Sequence, residues 1–345
     1  MQRSTPVTQG LARAAIAAAL ATLALVAAPA ARADSPPVPA FDVVVLGATG
    51  GIQDGNLSAF FVRPAGQPQG VTCDAGSLVN GIRVAEARGA FDDVLLPPGS
   101  RLSRVGHVLT EQIQGYLVSH AHLDHVAGLV VASPDDSAKP VYALPSVQAE
   151  LVAHHFNWGA WPNMTDRGKA PRLGKYRLQD LVPGVRQPLA GTALGVTAWP
   201  LAHAGVESTA FLIDHGEDVL LCLGDTGPDA VEQSGRLQAL WAAVADRVRR
   251  GRLRALIVEV SFSNDRPDKL LFGHLTPAWL MASLRGLADL AGPDALRGLP
   301  VVVSHIKYSL AAGEPPAQVI RRELDAANTL GLRFILPQQG DRYGF

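Results

Sequence analysis

The stretch His120-Ala121-His122-Leu123-Asp124-His125 places four side chains that can bind a metal ion within six residues. It directly follows the apolar run Tyr116-Leu117-Val118. Imidazole and carboxylate groups together suit zinc and similar divalent ions. Buried imidazoles and carboxylates need partners, and a cation supplies one partner to all four at once. The stretch therefore predicts a metal-binding loop rather than an ordinary polar loop.

Four later apolar runs each lead into a side chain that could bind a metal or transfer a proton. Short runs rich in Val, Leu and Ile are typical of buried strands, and functional side chains commonly lie at strand ends. The runs are residues 196–201, 219–223, 255–258 and 301–303, and the side chains after them are His203, Asp225, Glu259 and His305. Together with the six-residue cluster, this pattern predicts a two-metal site at one edge of a sheet.

The rest of the chain alternates between apolar runs and amphipathic segments, which predicts an α/β fold. Helices are predicted at residues 123–132, 147–155, 234–250, 276–291 and 317–330. The fourth opens with Thr276 and Pro277, a common helix start. Residues 34–345 are predicted to form one domain, because the 345-residue chain is 48% hydrophobic and can bury a large core.

Residues 1–33 have the features of a secretory signal peptide. They contain three arginines, no acidic residue and the apolar stretch 14–28, which Pro29 ends. Ala31-Arg32-Ala33 has the small-x-small pattern of a signal peptidase site. A transmembrane anchor is the alternative, although the stretch is short for one. We expect a periplasmic or secreted protein that begins near Asp34 and has no stable membrane association after cleavage.

Charge and cysteine content narrow the classes of function. The formal net charge is −1 and charged residues are 18% of the chain, so no nucleic-acid partner is expected. Cys73 and Cys222 are the only cysteines. An exported protein could join them, but both fall in or beside predicted buried strands, so two free thiols are an equal alternative.

The segment Gly47-Ala48-Thr49-Gly50-Gly51 superficially resembles the start of a dinucleotide-binding unit. That fingerprint needs three spaced glycines that open a helix. Its second and third glycine positions hold Thr49 and Ile52, and Asp54-Gly55-Asn56 would break a helix. We therefore predict a tight turn at the edge of the active site and no nucleotide cofactor.

These motifs together resemble the metallo-β-lactamase superfamily, whose signature is His-x-His-x-Asp-His followed by a distant His, Asp and His. More closely, residues 120–134 resemble the extended motif of the class II cyclic nucleotide phosphodiesterases. Other similar segments are Asp74-Ala75-Gly76, Trp161-Pro162-Asn163, Gly224-Asp225-Thr226-Gly227 and Gly273-His274-Leu275-Thr276-Pro277. The resemblance implies a four-layer αββα sandwich and a periplasmic bacterial 3′,5′-cyclic-nucleotide phosphodiesterase.

The resemblance also implies a role for each site residue. His120, His122 and His203 would hold one divalent ion, Asp124, His125 and His305 the second, and Asp225 would bridge the two. Zinc is the expected metal. The ions would acidify a shared water, and the hydroxide would attack phosphorus in line with the leaving 3′ oxygen. His274 is implied as the general acid and Glu259 as the group that orients it, while Asp124 also counts among the catalytic residues. The product would be a nucleoside 5′-monophosphate.

The expected partner is a small cyclic nucleotide. Asn157, Trp158, Trp161 and Asn163 offer stacking surfaces and amides that could bind its base. The alternative is a loop that buried aromatic side chains hold in place. These residues do not distinguish cyclic AMP from cyclic GMP, and the sequence predicts no oligomeric state.

Three other functions stay open at this point. A broader phosphodiesterase resembling the tRNA 3′-processing nucleases would share the metal ligands, but it would need a basic RNA-binding arm that is absent here. A lactamase or lactonase would not need His274. A non-catalytic metal-binding or ligand-binding protein would be expected to have an incomplete ligand set.

Overall fold

The computed structural model describes residues 38–345, and two seven-stranded β-sheets form its centre. The predicted signal peptide, residues 1–33, lies outside the described residues. The strands are β1 (Phe41–Gly47), β2 (Thr49–Gly50), β3 (Ala59–Pro64), β4 (Gly70–Cys73), β5 (Ile113–Leu117), β6 (Lys139–Ala143), β7 (Tyr176–Asp180), β8 (Arg186–Pro188), β9 (Gly195–His203), β10 (Val206–His215), β11 (Asp218–Leu223), β12 (Leu253–Glu259), β13 (Pro300–Ser304), β14 (Ile306–Lys307), β15 (Arg333–Ile335) and β16 (Arg342–Gly344).

Helices cover the outer faces of the sheets. They are α1 (Val79–Ala87), α2 (Arg104–His107), α3 (Leu123–Ala132), α4 (Pro145–Glu150), α5 (Asp229–Glu232), α6 (Arg236–Arg249), α7 (Pro277–Ala291) and α8 (Pro316–Ala327). Turns of π-helix follow α2 and α4 at Val108–Gln112 and Leu151–His155, and a 3-10 turn lies at Asp268–Leu270. Within residues 38–345, none of the helices combines the length and the apolar character needed to span a lipid bilayer.

Strand direction brings the functional loops to one side. The first sheet has the order β16-β1-β3-β4-β5-β6-β7, the second β15-β13-β12-β11-β10-β9-β8, and β14 pairs with β2. In the second sheet β11, β12 and β13 are parallel, and β9 runs the same way because both it and β11 are antiparallel to β10. In the first sheet β1, β4 and β5 likewise share one direction. The carboxyl ends of these strands are therefore grouped at one edge of each sheet.

Side-chain alternation along the strands builds the layers. On β12, Ile257 belongs to the core shared by the two sheets, whereas Leu256 and Val258 pack with α6, α7 and α8. This is the expected pattern for a strand buried on both faces. On the other side, α1 approaches β1 so closely that a Cβ on Gly81 would lie 2.2 Å from the carbonyl oxygen of Leu46. The predicted four-layer αββα sandwich is confirmed.

A disulfide between Cys73 and Cys222 joins β4 of the first sheet to β11 of the second. Both cysteines are buried, and their Cα atoms lie 6.8 Å apart. The bond closes a loop over a sequence separation of 149 residues. Disulfides that close long loops typically stabilise a fold by about 2–4 kcal/mol. Of the two alternatives left open by the sequence, the structure has the disulfide.

The predicted helices differ from the observed ones mainly at their ends. The prediction for residues 123–132 is confirmed by α3. The last helix, predicted to reach residue 330, ends at Ala327 because the Asn328 side chain bonds both backbone groups of Leu332. The helix predicted at residues 147–155 begins earlier, at Pro145, and its final turn is π-helical.

Candidate metal centre and active site

The seven predicted metal ligands lie together at the carboxyl edges of the two sheets. His120 and His122 follow β5, and Asp124 and His125 lie in the first turn of α3. His203 ends β9, Asp225 follows β11, and His305 follows β13. All but His122 and Asp124 are buried. Strand ends and the start of α3 therefore place these side chains on rigid elements.

His120, His122 and His203 form the first group of ligands. Nε2 of His120 lies 3.0 Å from Nδ1 of His122, and Nε2 of His203 lies 3.3 Å from the same Nδ1. The ligand atoms of all three lie within 4.8 Å of one another. Because Zn–N bonds are about 2.0–2.1 Å, tetrahedral nitrogen ligands stand roughly 3.3 Å apart. The group therefore has the dimensions of one metal site.

Asp124, His125 and His305 form the second group. Nε2 of His305 lies 3.1 Å from Nε2 of His125 and 3.2 Å from Oδ2 of Asp124. Nε2 of His125 lies 3.9 Å from Oδ1 of Asp124. The ligand atoms of these three residues also lie within 4.8 Å of one another, so the second group can hold a second ion.

Asp225 lies between the two groups. Its Oδ2 is 3.2 Å from Nε2 of His305 and 3.3 Å from Nε2 of His125, which belong to the second group. The same oxygen is 3.7 Å from Nε2 of His203 and 3.9 Å from Nε2 of His120, which belong to the first. One carboxylate oxygen thus reaches ligands of both groups, as a bridging residue must.

Partners outside the cluster orient four of the imidazoles. Their Nδ1 atoms bond as follows: His125 to Asp74 (2.7 Å), His203 to the carbonyl of Gly273 (2.8 Å), His305 to Ser261 (3.0 Å) and His120 to Ser119 (3.0 Å). Each Nδ1 carries the donated hydrogen, an assignment made from the hydrogen-bond network. In the neutral form of each ring, the Nε2 atom that faces the cluster then carries a lone pair. Crowded lone pairs with no hydrogen between them repel unless a cation separates them, so the donor set fits bound metal.

The electrostatics of the cluster agree with this fit. Burial lowers the pKa of His120, and His125 lowers it further, so His120 is neutral as a metal ligand must be. Burial would raise the pKa of Asp225, but His305 and His125 hold that pKa well below its usual range. Burial would lower the pKa of His125, but Asp225 and Asp74 raise it well above the ordinary value. The carboxylates around His125 thus favour a positive charge at its Nε2, either a proton or a metal ion.

Asp74 is a functional residue to which the sequence assigned no role. Its Oδ2 accepts hydrogen bonds from Nδ1 of His125 (2.7 Å) and Oγ of Ser119 (2.9 Å), and its Oδ1 accepts one from the Ser119 backbone N–H (2.8 Å). Asp74 follows β4 and has a φ of 55°. The only signal in the sequence was the Asp74-Ala75-Gly76 segment of the resemblance. Asp74 positions ligands of both groups, since Ser119 in turn contacts His120.

Replacing Asp74 by asparagine should lower metal affinity by about 10–100-fold, the usual cost of losing a carboxylate behind a histidine ligand. An amide placed there can turn its N–H₂ toward the Nδ1–H of His125, so that the ring loses its acceptor. Competition with a chromogenic chelator measures the change in metal affinity. The matched control is Asp135→Asn, which removes an exposed carboxylate from the surface. Equal affinities in Asp74→Asn and the wild type would contradict this role.

His274 and Glu259 form a buried pair beside the cluster. Nδ1 of His274 donates to Oε1 of Glu259 at 2.9 Å, and Oε2 of Glu259 accepts from Oγ of Ser261 at 2.7 Å. Burial would lower the pKa of His274, but Glu259 raises it above the ordinary value. Nδ1 of His274 also lies 3.7 Å from Oδ2 of Asp225. Because Nδ1 is bonded to Glu259, Nε2 is the ring nitrogen that this pair leaves unused.

The loop predicted to bind the base uses most of its polar groups internally. Nδ2 of Asn163 donates to the carbonyls of Arg167 and Lys169, and its Oδ1 accepts from the N–H and Oγ1 of Thr165. Asn163 is fully buried, with all four hydrogen-bonding positions filled. The structure therefore does not support the predicted contact between Asn163 and a substrate, and places this residue in the loop's own framework.

Asn157 and Trp161 are also engaged within the fold. Oδ1 of Asn157 accepts from the N–H groups of Gly159 and Ala160, and Nε1 of the half-buried Trp161 donates to Oγ of Ser133. The loop is tied to the metal-binding stretch through Nε2 of His155, 2.8 Å from the carbonyl of Ala121. Substrate binding by Asn157 and Trp161 stays a prediction.

The glycine-rich segment after β1 forms part of the site. The backbone N–H of Gly51 donates to Oδ2 of Asp124 at 2.8 Å, with a φ of 74° at Gly51. A Cβ on Gly50 would lie 2.2 Å from the ring of His305. The predicted tight turn at the edge of the active site is confirmed, and glycine is needed there for close approach.

Comparison with known proteins gives consistent results. Residues 41–340 match the family described as cAMP phosphodiesterases class-II. The chain is 48% identical over 306 residues to a 3′,5′-cyclic-nucleotide phosphodiesterase of Aliivibrio fischeri, covering 88% of this chain and 93% of the relative. It is 42% identical to a probable enzyme of the same name from Yersinia pestis, covering 89% and 90% of the two chains.

Solved structures agree on the fold. The crystal structure of unliganded yeast PDE1 matches with a TM-score of 0.76 at 26% identity, covering 89% of this chain and 100% of the other. The metallo-β-lactamase fold protein YhfI from Bacillus subtilis matches with a TM-score of 0.57 at 16% identity, covering 89% and 99%. The second similarity is one of fold alone.

Proposed function

Because the chain belongs to the family of class II cAMP phosphodiesterases, we propose that it hydrolyses 3′,5′-cyclic nucleotides to nucleoside 5′-monophosphates. The observation that carries the proposal is the seven-ligand cluster with the His274–Glu259 pair beside it. Cyclic AMP is the proposed substrate, and cyclic GMP is to be compared with it. The formal net charge of −1 supports a small-molecule substrate rather than a nucleic acid.

We propose that two divalent ions, zinc in the cell, bind the two ligand groups. His120, His122 and His203 would hold one, Asp124, His125 and His305 the other, and Asp225 both. The separate ligand groups and the shared oxygen of Asp225 support this number. When bound, such ions would neutralise charge on the phosphoryl oxygens and acidify a water molecule.

In the proposed reaction, an O–P bond forms from water to phosphorus, the water gives up one proton to solvent, and the bond from phosphorus to the ribose 3′ oxygen breaks. The leaving alkoxide needs a proton, which we assign to Nε2 of His274. Glu259 accepts the Nδ1–H of His274 at 2.9 Å, so it fixes the direction of the ring and favours its protonated form. Thr226 and Ser261 hold the Glu259 carboxylate in turn, at 3.0 Å and 2.7 Å. The proton donor is thus oriented before substrate arrives.

The test is hydrolysis of cyclic AMP, cyclic GMP, bis(p-nitrophenyl) phosphate and a chromogenic β-lactam by zinc-loaded protein, with and without a chelator. We expect metal-dependent conversion of cyclic AMP to 5′-AMP and no β-lactam cleavage. Turnover of the aryl phosphodiester alone would favour a broader phosphodiesterase. Full metal occupancy without turnover of any of these substrates would refute the proposal.

We also propose that the protein is exported and cleaved near Asp34. The signal-like features of residues 1–33 and the Cys73–Cys222 disulfide support this, since structural disulfides are typical of oxidising compartments. Expression in a Gram-negative host should give periplasmic protein whose N-terminal sequence begins within a few residues of Asp34. A mature protein that retains the apolar stretch 14–28 would show that export and cleavage do not occur.

A further inference from the structure

Lys307 lies two residues after the ligand His305. His305 has a φ of 59°, and this left-handed turn separates β13 from the short strand β14 that carries Lys307. The backbone N–H of Lys307 donates to the carbonyl of Ser261, whose hydroxyl contacts His305. The position of Lys307 is therefore set by the same residues that position a metal ligand.

The pairing of β14 with β2 places the Lys307 side chain beside two glycines that contact metal ligands. In this parallel pair Lys307 is opposite Gly50, and directly paired residues project from the same face of a sheet. The His305 ring fills the space where a Gly50 side chain would be. The side chain of Lys307 then runs over Gly51, with Cδ 3.3 Å and Nζ 3.8 Å from the position of a Gly51 Cβ. The backbone N–H of Gly51 donates to Oδ2 of Asp124, so the glycine beside the Lys307 ammonium also contacts the second ligand group.

The ammonium has no partner among residues 38–345. No hydrogen bond or ion pair joins Nζ of Lys307 to any of these residues, and the side chain is half-buried. A lysine held beside a metal cluster without an anionic partner is placed to bind an anion that enters with the substrate.

We propose that Lys307 binds a non-bridging oxygen of the phosphate group, in the cyclic nucleotide and in the 5′-monophosphate product. The proposal rests on the proposed function for its substrate. A lysine ammonium presents three donors and a full positive charge, which suits a phosphate. Lys307 is thus a substrate-positioning residue, separate from the proton donor His274 and from the metal ligands.

The test compares Lys307→Met with Lys307→Arg and with Arg285→Met, which removes a charge from the exposed surface of α7. A lost charge-assisted hydrogen bond should lower kcat/KM for cyclic AMP by about 10–100-fold in Lys307→Met. Lys307→Arg should recover much of that loss, and Arg285→Met should match the wild type. Two bound ions and an unchanged melting temperature are expected in all variants.

Binding without turnover gives the decisive readout. Calorimetry of metal-loaded protein should show that Lys307→Met weakens 5′-AMP at least about tenfold and leaves adenosine unchanged, because only the former carries a phosphate. Unchanged 5′-AMP affinity, or an equal loss for adenosine, would overturn the proposal. If wild-type protein does not hydrolyse cyclic AMP, the proposed function fails, but the same comparison with bis(p-nitrophenyl) phosphate still tests Lys307.

Discussion

Replacing Asp225 by alanine should reduce cyclic AMP hydrolysis by at least about 10³-fold, more than any other single change among the ligands. The reason is geometric, since its Oδ2 lies within 3.9 Å of ligand nitrogens in both groups. Loss of the shared carboxylate would remove charge and a ligand from both ions of the proposed site. A metal contribution of several kcal/mol to the transition state corresponds to a rate factor of this size. Steady-state kinetics and metal analysis by mass spectrometry measure both effects.

The matched control is Asp289→Ala, which removes an exposed carboxylate from α7. It should keep the activity and the metal content of the wild type. Asp225→Ala should bind fewer than two ions per chain at metal concentrations that saturate the control. If Asp225→Ala binds two ions with wild-type affinity and hydrolyses cyclic AMP normally, Asp225 does not bridge the two groups.

Replacing His274 by alanine should slow cyclic AMP hydrolysis by about 10²–10⁴-fold, the usual contribution of a positioned general acid. The loss should depend on the leaving group. A ribose 3′ alkoxide is strongly basic and needs the proton, whereas p-nitrophenolate leaves readily without it. Activity on bis(p-nitrophenyl) phosphate should therefore fall less than about tenfold in the same variant. Glu259→Gln should give the same pattern more weakly, because Glu259 acts through His274.

The metal content of His274→Ala shows whether His274 acts as a proton donor or as a metal ligand. His274→Ala should retain two ions, since Nδ1 of His274 is bonded to Glu259 and His274 is not among the seven residues proposed to hold the ions. His154→Ala, an exposed histidine on the π-helical turn Leu151–His155, is the control for removing an imidazole. Equal losses on both substrates, or loss of an ion, would assign His274 to metal binding or to structure instead.

The order of residues in the chain was sufficient to predict the α/β class and the cluster of side chains that could bind metal. Four ligands fall within six residues, so their proximity needs no long-range contact. The others follow apolar runs, and strands of the same direction necessarily present their carboxyl ends at one edge. The structure brings all seven predicted ligands together, and it places Glu259 against His274.

Tertiary structure decided the features that depend on contacts between distant segments. Asp74 acts on His125 across 51 residues, and Cys73 meets Cys222 across 149, because β4 and β11 face each other in stacked sheets. A strand pattern does not specify which strands of two sheets become opposite neighbours. These pairings arise only when the sheets are stacked.

Which polar side chains have hydrogen-bond partners was likewise decided only in the folded chain. Asn163 was a reasonable candidate for base recognition because its amide can both donate and accept. Four bonds within its own loop use that capacity. Lys307 is the opposite case, since the sequence marks it only as a lysine near His305. The β14–β2 register places it over Gly51, whose backbone N–H donates to Asp124, and no acidic side chain of residues 38–345 pairs with it. The sequence by itself thus determined which chemical groups lie at the strand ends. Packing determined which of them remain free to bind, because a donor or acceptor is available only when no neighbour in the fold has already satisfied it.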